Sequence, residues 1–203
     1  AKILYDIKHQ HTHKVVAAIT FTIKAADEIK KRLTIDTTNH FIGTNNSFAI
    51  EEIIKPFMKD VFGMEYKLDI STDYSAKINT FEEGLAKIKD EQILCSYVNS
   101  KENFIFQLAL DILKKSKACQ LYLQAKYFKI YVDEYQDCDK DMHALFMYIC
   151  GMLKISIFVV GDEKQSIYTW RGAEPKASME IWNRQDFSKK FMRDNYRSCQ
   201  QIQ

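Results

Sequence analysis

An α/β fold, a parallel sheet with flanking helices, is what this sequence predicts, and three observations carry it. Short β-branched apolar runs stand at 15–21 (VVAAITF), 128–132 (FKIYV) and 155–160 (ISIFVV). Each is too short for a helix; the first and last read as buried strands and FKIYV as strand-like, although Lys129 and Ser156 interrupt the second and third runs. Stretches of helical period lie between them, so the order strand, helix, helical insert, strand, helix, strand points to parallel strands joined by crossovers.

The elements follow in chain order. After the first run, Thr22 is placed to cap a helix whose apolar face is Ala25, Ala26, Ile29 and Leu33. Asp27–Lys31 and Glu28–Arg32 are acid-first pairs four apart on its wet side, worth a few tenths (~0.3) of a kcal/mol each. Residues 48–58 read as a second helix with Ile50, Ile53, Ile54 and Phe57 apolar, weakened or ended by Pro56. From 59 to about 126 the composition shifts, with polar punctuation at 69–75 and 99–103. The stripe Ile105, Leu108, Ala109, Ile112, Leu113 makes this region a helical insertion in the strand-bearing core. The strand at 128–132 stops at Asp133-Glu134, a helix with Leu145, Ile149 and Met152 on one side follows, and the last strand stops at Gly161-Asp162.

Composition narrows the function. The 203 residues carry 29 Lys+Arg against 27 Asp+Glu, a net charge of +2, so bulk electrostatics does not announce a polyanion partner and any such site must be local. Five cysteines, with no C-x-x-C spacing, fit neither a disulfide framework nor a cysteine-rich zinc site; reduced thiols in the cytoplasm are the expectation. No apolar run is long enough to cross a bilayer, and no basic start precedes an apolar segment as in a secretory signal. His9, His11 and His13 alternate, which would suit a metal on one side of a strand, although a polar loop before the strand accounts for them more simply. Lys30, Lys31 and Arg32 read as a solvated helix face.

The strand ends carry the chemistry. In open α/β sheets, ligands collect beyond the carboxyl ends of the strands. Here three strands run into Thr20-Phe21-Thr22, Asp133-Glu134-Tyr135-Gln136-Asp137 and Gly161-Asp162-Glu163-Lys164-Gln165, which share one rim if the strands are parallel. An apolar strand delivering Asp then Glu suits nucleotide hydrolysis: one carboxylate holds Mg²⁺ through its water shell, and the next polarises the attacking water. Taken alone, an acidic pair equally well caps a strand at a solvated turn.

The context decides between these. VDEYQD (132–137), VVGDEKQSIYTWRGA (159–173), AITFTIKAADEIKKRL (18–33) and NYRS (195–198) resemble, in order, motifs of the UvrD/Rep-like superfamily 1 DNA helicases. The resemblance spans 18–198 and is thin through the insertion. It implies a RecA-like domain, the first of two: residues 1–58 and 127–203 would form part of domain 1A, with motif IV at its C-terminal end, and 59–126 a helical, 1B-like insertion. It implies ATP and Mg²⁺ as cofactors and single-stranded DNA, with its junctions to duplex, as partner. Asp133 would bind Mg²⁺, Glu134 would act as general base toward water, Gln165 would sense the γ-phosphate, Arg197 would neutralise its developing charge, and Tyr196 would stack on adenine. Phe21, Tyr168, Trp170 and Arg171 would form the single-strand platform, with Thr22, Thr44 and Ser47 contacting DNA. Stacking on such rings does not require a strongly basic chain, which reconciles the near-neutral charge. By position alone, Phe21 and Trp170 would also serve as core aromatics, and Arg171 and Arg197 as surface charges.

Departures from the family pattern matter. No G-x-x-x-x-G-K-[ST] loop occurs, although that loop cradles the phosphates and helps hold Mg²⁺. Residues 1–8 (AKILYDIK) read like the helix that normally follows it, so the expectation is a chain that begins just past the loop and stops before the second RecA-like domain. Ile23 stands where the family usually has Asn, and Asn46 where His is common in the segment 43–48 (GTNNSF). The resemblance implies part of an ATP-dependent helicase or translocase, moving 3′ to 5′, cytoplasmic and associated with the nucleoid, and inactive as the isolated chain. Two rivals stand beside it: a helicase–nuclease of the same superfamily, and a non-catalytic remnant that binds DNA or a partner.

Overall fold

In the computed structural model, which describes residues 2–162, 165 and 180–191, the first apolar run is strand β1 (Val15–Thr20). Its residues from Val16 onward are at most 1% exposed, so both of its faces are covered. The chain then forms β2 (Phe41–Thr44), β5 (Tyr127–Val132) and β6 (Ser156–Val159), and the sheet order is β2-β1-β5-β6. All three pairings are parallel. The architecture is the α/β, RecA-like parallel sheet that the sequence predicts.

Alternation along β1 divides the interior in two. Ala18 faces a small core with Ile42 of β2 and Ala26, against which Ile3, Ile29 and Leu33 pack. Those residues belong to α1 (Lys2–His9) and α2 (Ile23–Arg32), apart from Leu33, the C-cap of α2. Ala17 and Ile19 face the large core with Phe48, Ile53, Leu108, Ile130, Val132 and Leu145. Helix α1 is fixed by charge as well as by Ile3. Asp6 accepts from Lys129 Nζ at 2.8 Å, from Lys2 Nζ at 2.5 Å, and from the Tyr131 hydroxyl. Burial pushes the Asp6 carboxyl up, but these three donors outweigh it and hold the group at about 2.

Residues 45–62 form one continuous helical run. Helix α3 (Asn45–Ala49) passes into a π turn (Ile50–Ile54) and then into α4 (Lys55–Phe62). Pro56 therefore does not end the helix. It sits in the first turn of α4, just after the wider π turn, where its missing N–H and bulky ring are tolerated. Glu52 in that turn is buried, and Lys126 Nζ (2.7 Å) and the Tyr122 hydroxyl (2.8 Å) satisfy it from α7 (Lys117–Lys126).

The segment 59–126 differs from the all-helical expectation. It contains β3 (Ser71–Ile78), α5 (Phe81–Glu91) and β4 (Ile93–Tyr97), a strand–helix–strand unit with parallel strands. Every β3 residue but Asp73, Ala76 and Ile78 is exposed, so the strand carries no apolar signature and reads as punctuation. The insertion is also not a separate body. Ile78, Ile88, Leu94 and Tyr97 share the large core with Phe48 and Val132, and α6 (Phe104–Lys115) buries Phe104, Leu108 and Ile112 there. Gly84 allows this closure: a Cβ on it would lie 2.3 Å from the Phe104 ring.

Smaller details differ too. Asp27 pairs with Lys30 at 3.9 Å rather than with Lys31, whereas Glu28–Arg32 forms at 2.8 Å. Met152 is 66% exposed, off the buried face that Leu145 and Ile149 define on α8 (Lys140–Leu153). His9 ends α1, its Nδ1–H donating to the Tyr5 carbonyl at 2.8 Å, and His11 and His13 precede β1, so the three do not share a strand. No helix among the described residues is long and apolar enough to cross a membrane.

Candidate active site

Parallel pairing brings the carboxyl ends of the strands to one edge. The β1–β5 ladder continues one step further, with Asp133 N–H donating to the Ile19 carbonyl at 2.9 Å. Val160 N–H donates to the Val132 carbonyl at 2.9 Å, and Tyr135 N–H donates back to the Val160 carbonyl at 2.8 Å. The loops after β5 and β6 are thus stitched together directly beyond the sheet.

Between Asp133 and Tyr135 the backbone turns sharply. Glu134 has φ 53° and ψ 43°, the left-handed region, which costs a non-glycine residue about 1–2 kcal/mol. A single 3₁₀ turn (Tyr135–Asp137) follows, and Cys138 and Asp139 lead into α8. The turn is held from below. The Tyr135 side chain is buried, its hydroxyl meets His143 Nδ1 at 2.9 Å, and burial pushes that phenol well above its ordinary value. Asp139 caps α8, accepting from the N–H groups of Asp141 (3.0 Å) and Met142 (2.8 Å). Asn103 reaches both acids: its side-chain N–H donates to Asp139 and its backbone N–H to Asp141, each at 2.8 Å. Burial raises both carboxyls despite these donors. The insertion therefore braces the acidic loop.

The Glu134 side chain lies exposed on this rim, and one of its oxygens accepts from Gln136 Nε2 at 2.7 Å. Gln136 Oε1 accepts the Asp162 N–H at 3.0 Å. Asp162 in turn takes two bonds from Gln165, from its backbone N–H at 2.9 Å and from Nε2 at 2.8 Å. Glu134, Gln136, Asp162 and Gln165 are thus neighbours in one chain of hydrogen bonds. Asp133 lies half-buried beside Glu134, lining an open cleft of about 210 Å³ together with Lys2, Ile19, Tyr131 and Val160.

The other sequence-predicted residues divide into three groups. Phe21 is half-buried against the large core, and Thr22 caps α2 by accepting from Ala25 N–H at 3.1 Å. Next to them Ile23 is 73% exposed. Thr44 and Ser47 form a capping box on α3: Thr44 N–H donates to Ser47 Oγ at 2.8 Å, and Ser47 N–H donates to Thr44 Oγ1 at 3.2 Å. Both line a second cleft of about 460 Å³ with Asn46, Lys55 and Tyr74, and Asn46 Nδ2 donates to the Tyr74 hydroxyl at 2.9 Å. Tyr168, Trp170, Arg171, Tyr196 and Arg197 lie outside the described residues. Sequence order alone assigns no role to Gln136 or Asp162. The available signal was an uncharged amide directly after two carboxylates, a residue type suited to bonding one of them.

Open parallel α/β sheets gather their ligands on such a rim, here carrying an Asp-Glu pair and a glutamine-bearing loop, and many families share that frame. The comparisons identify which. Residues 73–186, more than half of the chain, match the UvrD/REP helicase N-terminal domain, and the chain belongs to that family. It is 51% identical over 205 residues to Gabija protein GajB of Bacillus cereus (strain VD045), covering 100% of this chain and 42% of that protein. It is 29% identical over 226 residues to ATP-dependent DNA helicase Rep of Buchnera aphidicola, covering 86% and 34%. With ATP-dependent DNA helicase PcrA of Staphylococcus epidermidis it shares 39% identity over 82 residues, 40% of this chain and 11% of that protein. The chain thus spans less than half the length of these relatives.

Proposed function

We propose that this chain supplies part of the ATP-hydrolysing and DNA-contacting machinery of an ATP-dependent DNA helicase or translocase moving 3′ to 5′ on single strands. The hydrogen-bonded run from Glu134 to Gln165 is the observation that supports this reading best, because it joins a candidate base to a candidate phosphate sensor on a single sheet edge.

Glu134 orients the water that attacks the γ-phosphate and takes its proton; its exposure on the rim leaves the carboxylate open to that water. Gln165, on the neighbouring loop, registers the presence or loss of that phosphate. Mg²⁺ fits the donor set, since that ion keeps several waters and takes one or two carboxylates plus phosphate oxygens, and Asp133 supplies one carboxylate at the cleft. Bound there, the ion would neutralise phosphate charge. Arg197 and Tyr196 act on the phosphate and adenine on sequence grounds alone, and Tyr168, Trp170 and Arg171 likewise build the DNA platform with Phe21. Thr22, Thr44 and Ser47 use oxygen lone pairs in capping, and a capping hydroxyl can still donate to a backbone phosphate of the strand.

The test is ATP turnover by the protein at its natural full length, with and without oligo(dT). Strong stimulation by DNA is expected, and Glu134→Gln should lower it by about 10²–10⁴-fold. Duplexes with a 3′ tail should be unwound in preference to those with a 5′ tail. Turnover that ignores both DNA and the Glu134 substitution would defeat the proposal. The 203 residues alone, without a G-x-x-x-x-G-K-[ST] loop, should show no appreciable DNA-stimulated turnover.

A further inference from the structure

Gln136 is 1% exposed, although nothing about an amide favours burial unless both its ends are satisfied. Both are. Its Nε2 faces the Glu134 carboxylate at 2.7 Å and its Oε1 faces the Asp162 N–H at 3.0 Å. The orientation is dictated by chemistry: a carboxylate only accepts and a backbone N–H only donates, so the amide has one way round. No carboxylate, hydroxyl or hydrocarbon of similar length satisfies both neighbours. The loop after β6 is shaped to the same contact. A Cβ on Gly161 would lie 2.9 Å from Gln136 Oε1 and 3.2 Å from the Gln136 backbone nitrogen, so glycine lets the loop approach closely enough for the Asp162 bond.

From this geometry we infer that Gln136 is a positioning residue that couples the loop carrying Gln165 to the aim of the Glu134 carboxylate. The inference rests on the hydrolytic reading of Glu134 above. Gln165 is tied twice to Asp162, through its carbonyl and its carboxylate, so a shift of the β6 loop moves the Asp162 N–H and pulls on the Oε1 end of the amide. The amide is planar and rigid, so its Nε2 end moves with it and turns the carboxylate it holds. Glu134 sits on a single left-handed residue with its side chain otherwise exposed, so this bond is what orients it. A phosphate contact made at Gln165 thereby reaches the general base through one side chain, without moving the sheet.

The experiment uses the protein at its natural full length, saturated with oligo(dT), and reads kcat and KM for ATP together with the unfolding midpoint. Gln136→Met keeps the volume and removes both bonds. It is expected to lower kcat by about tenfold to a hundredfold, the scale of a misaimed catalytic group, while KM for ATP stays within about threefold. Gly161→Ala, which forces the loop off Gln136 and leaves the amide in place, should lower kcat in the same sense by a smaller factor. It also serves as the decisive variant if Gln136→Met does not fold. A kcat within about twofold of wild type in the folded variants overturns the inference. So does a parallel loss of kcat and of ATP affinity accompanied by a fallen unfolding midpoint, the mark of a merely structural role. Wild-type protein that shows no DNA-stimulated turnover defeats the hydrolytic reading itself, an outcome distinct from normal turnover in wild type and variants alike.

Discussion

Strands β1 and β3 are both members of parallel pairs, yet they have almost nothing else in common. β1 lies in the middle of the main sheet with helices on both faces and is essentially sealed from water. β3 pairs with β4 alone and leaves most of its side chains in solvent. The first is held by burial of its own side chains, the second by the ladder to β4, by Ile78 buried in the core and by Ala76 packed against it. The rim that carries Asp133 and Glu134 extends from the sealed sheet, where a position is defined by packing on every side. A strand like β3 tolerates change, whereas a strand like β1 places groups.

Substitutions should separate the two regions widely. The largest effect is expected at the rim, where Glu134→Gln removes a carboxylate from a site framed by buried strands and should cost about 10²–10⁴-fold in ATP turnover, read by steady-state hydrolysis. Next comes β1 itself. Ile19→Ala opens a hole in the large core and should lower unfolding stability by about 2–5 kcal/mol, visible as a shifted denaturant midpoint. Gly84→Ala tests how the β3–β4 unit is fastened: the new Cβ meets the Phe104 ring at 2.3 Å, and overpacking of this kind costs about 1–3 kcal/mol. At Asp6 the effect depends on pH. Its carboxyl is held at about 2, below an ordinary 3.8. Its stabilisation of α1 is therefore complete above about 3.8 and is lost as pH falls through about 2. Wild type should exceed Asp6→Asn in stability at pH 5, and the gap should close by pH 2, as denaturation at the two pH values would show. Smallest of all, Lys77→Ala on the exposed side of β3 should change stability by no more than about 0.5 kcal/mol. A Lys77 effect as large as that at Ile19 would erase the distinction between the two strands.

The same distinction explains what could be read from residues in order. β1 announces itself because a strand covered on both sides must be apolar throughout, β5 and the edge strand β6 by short runs of β-branched and aromatic residues, and the end of β5 locates Asp133 and Glu134 without further information. β3 could not be found this way. Ser71, Thr72, Tyr74, Ser75 and Lys77 face water, so they carry no period, and the strand exists because β4 offers it a partner. Pro56 misleads for a related reason: a local rule about helix interiors was overtaken by a π turn that places the proline in a first turn. The cap at Thr22 is legible in the sequence, whereas the capping box of Thr44 and Ser47 is visible only once helix α3 has a definite start.

Order along the chain was enough to set the class of fold, the strands at its centre and the carboxylates at their ends, because burial and backbone periodicity leave their mark on neighbouring residues. The tertiary structure alone decided that an amide at 136 would meet the N–H of residue 162, and that the insertion would brace the acidic loop through Asn103. Such contacts join groups 26 to 38 positions apart. Their formation depends on strand register and close approach, which no local pattern of residues encodes.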